Sequence, residues 1–307
     1  MQYDLRLVIH YDFDRPTGAG RQLLRIQPAE MPGLQSVLAC DIAVTPYPSE
    51  RREFTDFFGT KVLEVVMAPG LTSCEIAMKA RVVRQPLGEE PDMSPPVARL
   101  PAELAEVTDI GPASPHHFLA PSPRIASDAA IAGFAAAAVK DAATTRDAIA
   151  ALGQAIHAAM TFDGEATEVD TTPAAAFALR RGVCQDFAQI MIAGLRSLGI
   201  PAAYVGGFLR TLPPPGKPRL EGADAMHAWI RAWAGAEAGW LDHDPTNACF
   251  ADTDHIAVGH GRDYGDVAPV TGALRMNGGQ KGRHAVDLIE VASQKPTTGV
   301  TPAGVTP

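Results

Sequence analysis

Nine prolines stand between Pro86 and Pro123, and they divide the chain into two stretches of different texture. No long helix or central strand runs through such spacing, because each ring fixes φ and removes a backbone donor. Residues 86–123 therefore read as a connector that wraps over the surface. Before it, residues 5–11, 23–26, 36–44, 61–67 and 74–83 are short apolar or alternating runs. Turn residues such as Pro16-Thr17-Gly18-Ala19-Gly20 and Ala68-Pro69-Gly70 punctuate them, which is the pattern of an antiparallel β domain over residues 1–85.

After the connector both periods occur, so residues 124–292 are expected to form an α+β domain. Ser127 is placed to cap a helix over residues 128–139, and Thr144 with Asp147 has the spacing of a capping box for a helix ending near Met160. Thr172-Pro173 opens a short helix to about Arg180. Phe187, Ile190, Met191, Leu195 and Leu198 form one helical stripe, which Gly199 and Pro201 stop. Strand-like runs follow at residues 203–209, 227–233, 240–244 and 286–291. The end of the chain, residues 293–307, is Pro/Thr/Gly-rich and expected to be disordered.

Composition excludes classes of function. With 26 Lys and Arg against 35 Asp and Glu, the net charge of −9 supplies no positive field for nucleic acid or an anionic membrane. The low-polarity run over residues 129–139 is too short to cross a bilayer. No basic-then-apolar leader opens the sequence, so a cytoplasmic setting with reduced thiols is expected. Cys40, Cys74, Cys184 and Cys249 include no CxxC pair, which fits neither a disulfide scaffold nor a structural zinc site. No metal and no cofactor are expected; His116-His117 and the His255/His260 pair lack a carboxylate or thiol to complete a ligand set.

One cysteine differs from the others in context. Cys184 begins the striped helix, where unpaired N–H groups and the positive end of the dipole favour a thiolate. Arg180 and Arg181 are close in sequence. The bland alternative is a buried thiol starting a core helix, and Cys40, Cys74 and Cys249 keep that reading. A nucleophilic cysteine needs a base, and His227 lies on a strand where period two puts it on one face with Trp229, Arg231 and Trp233. Ala228, Ile230 and Ala232 face the other way, although a histidine so placed could also be merely exposed.

Residues 234–239 read as a hairpin connection. If Trp233 faces Trp240, Asp244 becomes the diagonal neighbour of His227 on the same face, while Asp242 lies further off and His243 points away. Register thus favours Asp244 as the group that orients the imidazole, against the alternative that Asp244-Pro245-Thr246-Asn247 only ends a strand.

Four segments in order carry a resemblance. Gly182-Val183-Cys184-Gln185-Asp186-Phe187-Ala188, with Leu195 through Ala202, resembles the nucleophile segment of bacterial transglutaminase-like proteins. Asp224-Ala225-Met226-His227-Ala228-Trp229 resembles their histidine strand, and Gly239-Trp240 with Asp244-Pro245-Thr246-Asn247 their aspartate strand. His255-Ile256-Ala257-Val258 with Gly261 through Val267 is similar to the segment that follows. The resemblance covers about residues 118–272, and the first ~85 residues look like the accompanying N-terminal region. Three positions depart from the pattern: Gln189 where a histidine is usual, Met226 where a small polar residue is common, and Ala203 in place of an arginine.

The resemblance implies a papain/transglutaminase-like α+β catalytic domain behind the N-terminal β domain. It implies a cysteine-dependent acyl-transfer enzyme with a Cys184–His227–Asp244 triad and a thioester intermediate, acting on a peptide or other amide. Hydrolysis is the leading expectation; transamidation and a non-catalytic scaffold with a vestigial triad stay open. Trp229, Asp263 and Tyr264 are the candidate substrate contacts.

Overall fold

The computed structural model describes residues 1–88, 91–211, 222 and 224–291. The expected tail over residues 293–307 lies outside the described residues. The fold is α+β. Alternating apolar residues make the first six elements strands: β1 (Gln2–Phe13), β2 (Gly20–Leu24), β3 (Gln35–Thr45), β4 (Glu50–Thr55), β5 (Lys61–Met67) and β6 (Ser73–Arg84). In β1, Tyr3, Leu5, Leu7 and Ile9 are buried while the residues between them are less so, the signature of a strand with one face on a core. β4 carries no such alternation; its residues are Glu, Arg, Arg, Glu, Phe and Thr, and it is an exposed edge strand paired only to β5.

The connector is more structured than its prolines suggested. Leu100–Glu106 forms α1, and two 3₁₀ turns cover Val97–Arg99 and Pro115–Phe118. Pro101 sits in the first turn of α1, where its missing N–H has no intrahelical partner to lose. Leu100, Leu104 and Phe118 are buried and pin the segment to the body.

Beyond it come α2 (Ala129–Ala138), α3 (Thr145–Ala159), β7 (Thr161–Phe162), α4 (Pro173–Leu179), β8 (Arg181–Gly182) and α5 (Cys184–Ser197). The capping box of α3 is present, with Asp147 N–H donating to Thr144 Oγ1 at 3.1 Å and Thr144 N–H to Asp147 Oδ2 at 3.2 Å. Thr172 caps α4 as expected. For α2 the cap is Asp128 rather than Ser127; its carboxylate accepts from the N–H groups of Ala130 and Ile131.

The second sheet is built from β9 (Ala202–Leu209), β10 (Ala225–Trp233), β11 (Trp240–Asp244), β12 (Cys249–Phe250) and β13 (His255–Gly261), paired in the order β12-β11-β10-β9-β13. β13 carries His255 and His260 on a strand that the strand-like runs of the sequence did not include; the ladder to β9 tolerates its glycines through a register shift between Ala257 and Gly259. After α6 (Tyr264–Val267), β14 (Val270–Leu274) and β15 (Gln280–Glu290) return to the N-terminal sheets. β14 pairs with β2 and β15 runs the length of β1. The span 124–292, expected as one unit, therefore gives its last two strands to the other one. The N-terminal part is a pair of four-stranded sheets, β15-β1-β6-β3 and β14-β2-β5-β4.

The five-stranded sheet is covered on both sides. Ala228, Ile230 and Ala232 join Phe187, Ile190, Met191 and Leu195 of α5 in one core. Phe208, Ile256 and Val258 join the core of the N-terminal sheets. Between them Trp229, with no exposure, packs with Val205, Ala251 and Ala257. No described helix is long and apolar enough to cross a membrane.

Candidate active site

Cys184 is the first residue of α5. The start of this helix is held by a buried carboxylate: Asp186 Oδ2 accepts from Val183 N–H at 2.9 Å and from Thr167 Oγ1 at 2.7 Å. Gly182 lets it come so close, since a Cβ there would stand 2.9 Å from the Asp186 Cβ. Residues 185–195 are all buried, so the helix is fixed along its length and presents Cys184, with Gln185 beside it, to a cavity. That cavity, about 190 Å³, is lined by Cys184 and His227 with Tyr204, Phe208, Met226 and Tyr264 among its walls. Ile26 and Arg25, from the segment after β2, also line it. The sequence held no local signal for that contribution.

The strand register brings the imidazole and carboxylate together. Trp233 pairs with Trp240 and Ile230 with His243. His227 Nε2 lies 2.7 Å from Asp244 Oδ2, and both side chains are buried. With Nε2 so engaged, Nδ1 is the nitrogen left for the Cys184 thiol, which lines the same cavity and couples electrostatically to the ring. Burial pushes the His227 pKa down, but the bonds and charges of Asp244 and Cys184 outweigh it and raise it to about 10. Asp244 feels burial upward, yet His227, His255 and Asn247 hold it well below the usual carboxylate range. Its Oδ1 accepts from the N–H groups of Thr246 at 2.8 Å and Asn247 at 3.2 Å, and Oδ2 also takes Asn247 Nδ2 at 2.6 Å.

Asp242 serves a different neighbour. It accepts Arg231 Nε at 2.6 Å and Trp229 Nε1 at 3.1 Å. Trp229, expected among the substrate contacts, is instead wholly buried, with its indole stacked beneath His227 at 6.3 Å between centroids. Asp263 is likewise not a cavity residue: 3% exposed, it accepts from Gly265 N–H at 2.8 Å and Arg124 N–H at 3.0 Å and so starts α6. Tyr264, the next residue, does line the cavity, edge-on to Tyr204. Of the three departures from the family pattern, Met226 lines the cavity beside His227, while Gln189 and Ala203 are buried away from it.

The other thiols sit differently. Burial pushes Cys40 and Cys249 up to about 11, with nearby carboxylates adding to the shift, and raises Cys74 as well. His116 and His117 bond backbone carbonyls of Val107 and Ile110. His227, Asp244 and His255 bring three potential ligand atoms within 4.8 Å of one another, a closeness already accounted for by the hydrogen bonds they share. His255, which the sequence placed only within a family-like segment, is thus part of the cluster; its signal is long-range, carried by a strand three places from β11 in the sheet.

Residues 132–245 match the transglutaminase-like superfamily, and residues 3–83 match the bacterial transglutaminase-like N-terminal region. An uncharacterized protein of Mycobacterium tuberculosis is 44% identical over 129 residues, 41% of this chain and 41% of that protein. A protein-glutamine gamma-glutamyltransferase of Pseudomonas aeruginosa is 38% identical over 89 residues, 29% of this chain and 13% of its own length. These matches span less than half of the curated relatives. A solved structure of a candidate cysteine protease from Cytophaga hutchinsonii superposes with a TM-score of 0.74 at 21% identity, covering 96% of this chain and 92% of that one, and so shares the fold. In two successive stretches the chain is thus similar to the bacterial transglutaminase-like proteins, first to their N-terminal region and then to the superfamily core.

Proposed function

We propose that the protein is a cysteine-dependent acyl-transfer enzyme that hydrolyses peptide or other amide bonds through Cys184, His227 and Asp244. The observation that carries this reading is a single imidazole bonded to a buried carboxylate and sharing one cavity with a thiol at a helix start. His227 takes the thiol proton as Cys184 Sγ attacks the amide carbonyl, forming an S–C bond and moving the C=O π pair onto oxygen. The Cys184 backbone N–H, at the helix terminus, is a candidate donor to that oxygen. His227 then gives its proton to the leaving nitrogen, the C–N bond breaks, and a thioester remains. Water attacks the thioester while His227 takes its proton; the C–S bond breaks, and the acid and the thiol are released. Asp244 keeps one tautomer and one orientation of the ring throughout.

A second reading is transamidation, in which an amine replaces water at the thioester. It is favoured by the stretch of likeness to the Pseudomonas aeruginosa gamma-glutamyltransferase. Glutamine-containing peptides supplied with and without a primary amine separate the two. Ammonia release without amine incorporation is expected for the hydrolase, and stoichiometric incorporation would replace it with the transamidase. A scaffold with a vestigial triad predicts neither, together with iodoacetamide labelling of Cys184 no faster than of Cys40, Cys74 or Cys249.

A further inference from the structure

We infer that His255 is a positioning residue: acting through Asp244, it sets how strongly that carboxylate holds His227. The inference rests on the acyl-transfer reading above. His255 opens β13 and is 5% exposed. Its Nε2 lies 3.0 Å from Asp244 Oδ2, the same oxygen that His227 Nε2 meets at 2.7 Å. The Asp252 backbone N–H points at His255 Nδ1 from 3.4 Å, so Nδ1 accepts and Nε2 carries the proton. A neutral imidazole therefore donates to the carboxylate. Its ring is set edge-on to Trp229, 5.3 Å between centroids, and the same indole supports His227. One indole and one carboxylate oxygen thus fix both rings.

Sharing an acceptor has a direct consequence. Each donor on Oδ2 stabilises its negative charge and leaves less of it for the others. Thr246 and Asn247 hold Asp244 whether or not His255 is present, because their three bonds come from the turn that follows β11. Loss of His255 therefore leaves the carboxylate in place and concentrates its charge on His227. The titratable and charged groups around His227 are Cys184 from α5, Asp244 from β11 and His255 from β13, with Tyr204 of β9, Tyr264 after Asp263 and Arg25 from the segment after β2 lining the same cavity. His243 lies on the opposite face of β11, against α3.

The test is a pH titration of the full chain labelled with ¹⁵N-histidine, comparing wild type with His255→Ala and His255→Gln. The His227 midpoint is expected to rise in His255→Ala by roughly 0.5–1 unit, about three- to tenfold in proton affinity. His255→Gln, whose amide can donate to Oδ2, is expected to bring it back toward wild type. An unmoved or lowered midpoint in His255→Ala, accompanied only by a lower unfolding temperature, would reduce His255 to a packing residue and overturn the inference. If His255→Ala does not fold, His255→Asn replaces it, since its shorter amide does not reach Oδ2; equal midpoints in the Asn and Gln variants would then be the contrary result. The titration needs no turnover, so its outcome is independent of whether Cys184→Ala abolishes amide cleavage, the result on which the enzymatic reading depends.

Discussion

Asp242 and Asp244 are the same residue type two positions apart on one strand, and hydrogen bonding gives them separate work. Asp244 faces His227; Asp242 neutralises Arg231 and holds Trp229. Asp244→Asn keeps the shape but loses the charge that favours the working tautomer, so kcat is expected to fall on the order of 10⁴-fold. Asp242→Ala leaves a mostly buried guanidinium unpaired and is expected to cost about 3–5 kcal/mol in denaturant unfolding. Equal kinetic losses in the two variants would erase the distinction. The pairing of His227 with Asp244 was legible in the sequence because a hairpin register follows from two tryptophans and period two. Trp229 was misread because a strand face that looks polar in sequence is here enclosed by the strands around it.

Two histidines give stability a pH dependence of opposite sign. His227 is raised from 6.5 to about 10, so its contribution is complete below pH ~6.5 and is lost as pH rises through about 10. His243 is pushed down to about 4, mainly by burial, and stays neutral in the fold while the unfolded chain takes up a proton. Its contribution is complete above ~6.5 and is lost as pH falls toward about 4. Denaturant midpoints measured from pH 4 to 10 should decline on both sides, and His227→Gln should make the alkaline decline shallower, leaving the part that the raised thiols of Cys40 and Cys249 contribute. An unchanged alkaline slope in that variant would contradict the assignment.

At the level of elements, α3 shows how tertiary contact overrides propensity. Gly153 lies in mid-helix, where alanine is worth up to about 1 kcal/mol more. A Cβ there would stand 2.6 Å from His243 Nδ1, within a ring already wedged against Phe250. Gly153→Ala is therefore expected to lower the unfolding temperature, and a higher one would show that the ring can yield. Helix starts were legible because caps are local chemistry: Thr144 with Asp147, and Thr172 before Pro173. α1 and β13 were not, because each is held by distant partners. Leu100 and Leu104 bury into a core that the connector's composition does not announce, and β13 is a strand by virtue of β9.

On the scale of the whole molecule, the last described strands return to the first. β15 pairs along β1, burying Val286 and Leu288, and β14 closes the other sheet against β2. A chain truncated after Leu274 would lose those side chains, each worth about 1.5–3 kcal/mol, and leave β1 as an open edge. Such a chain is expected to unfold at lower denaturant and to aggregate; unchanged unfolding would mean that β15 is dispensable. The N-terminal part also reaches the chemistry, since Ile26 and Arg25 wall the cavity of Cys184. A period-two reading finds β1, β2, β3, β5 and β6 but not β4, β14 or this closure, which joins residues 246 to 287 positions apart.

The most direct test is the covalent intermediate itself. Acid-quenched mixtures of the full chain with a glutamine-containing peptide, read by intact mass and peptide mapping, should show the acyl group on Cys184 as a thioester. Cys184→Ala should show no adduct and only background ammonia release. Undiminished amide turnover by Cys184→Ala, or an acyl group mapped to Cys40, Cys74 or Cys249 instead, would contradict the account.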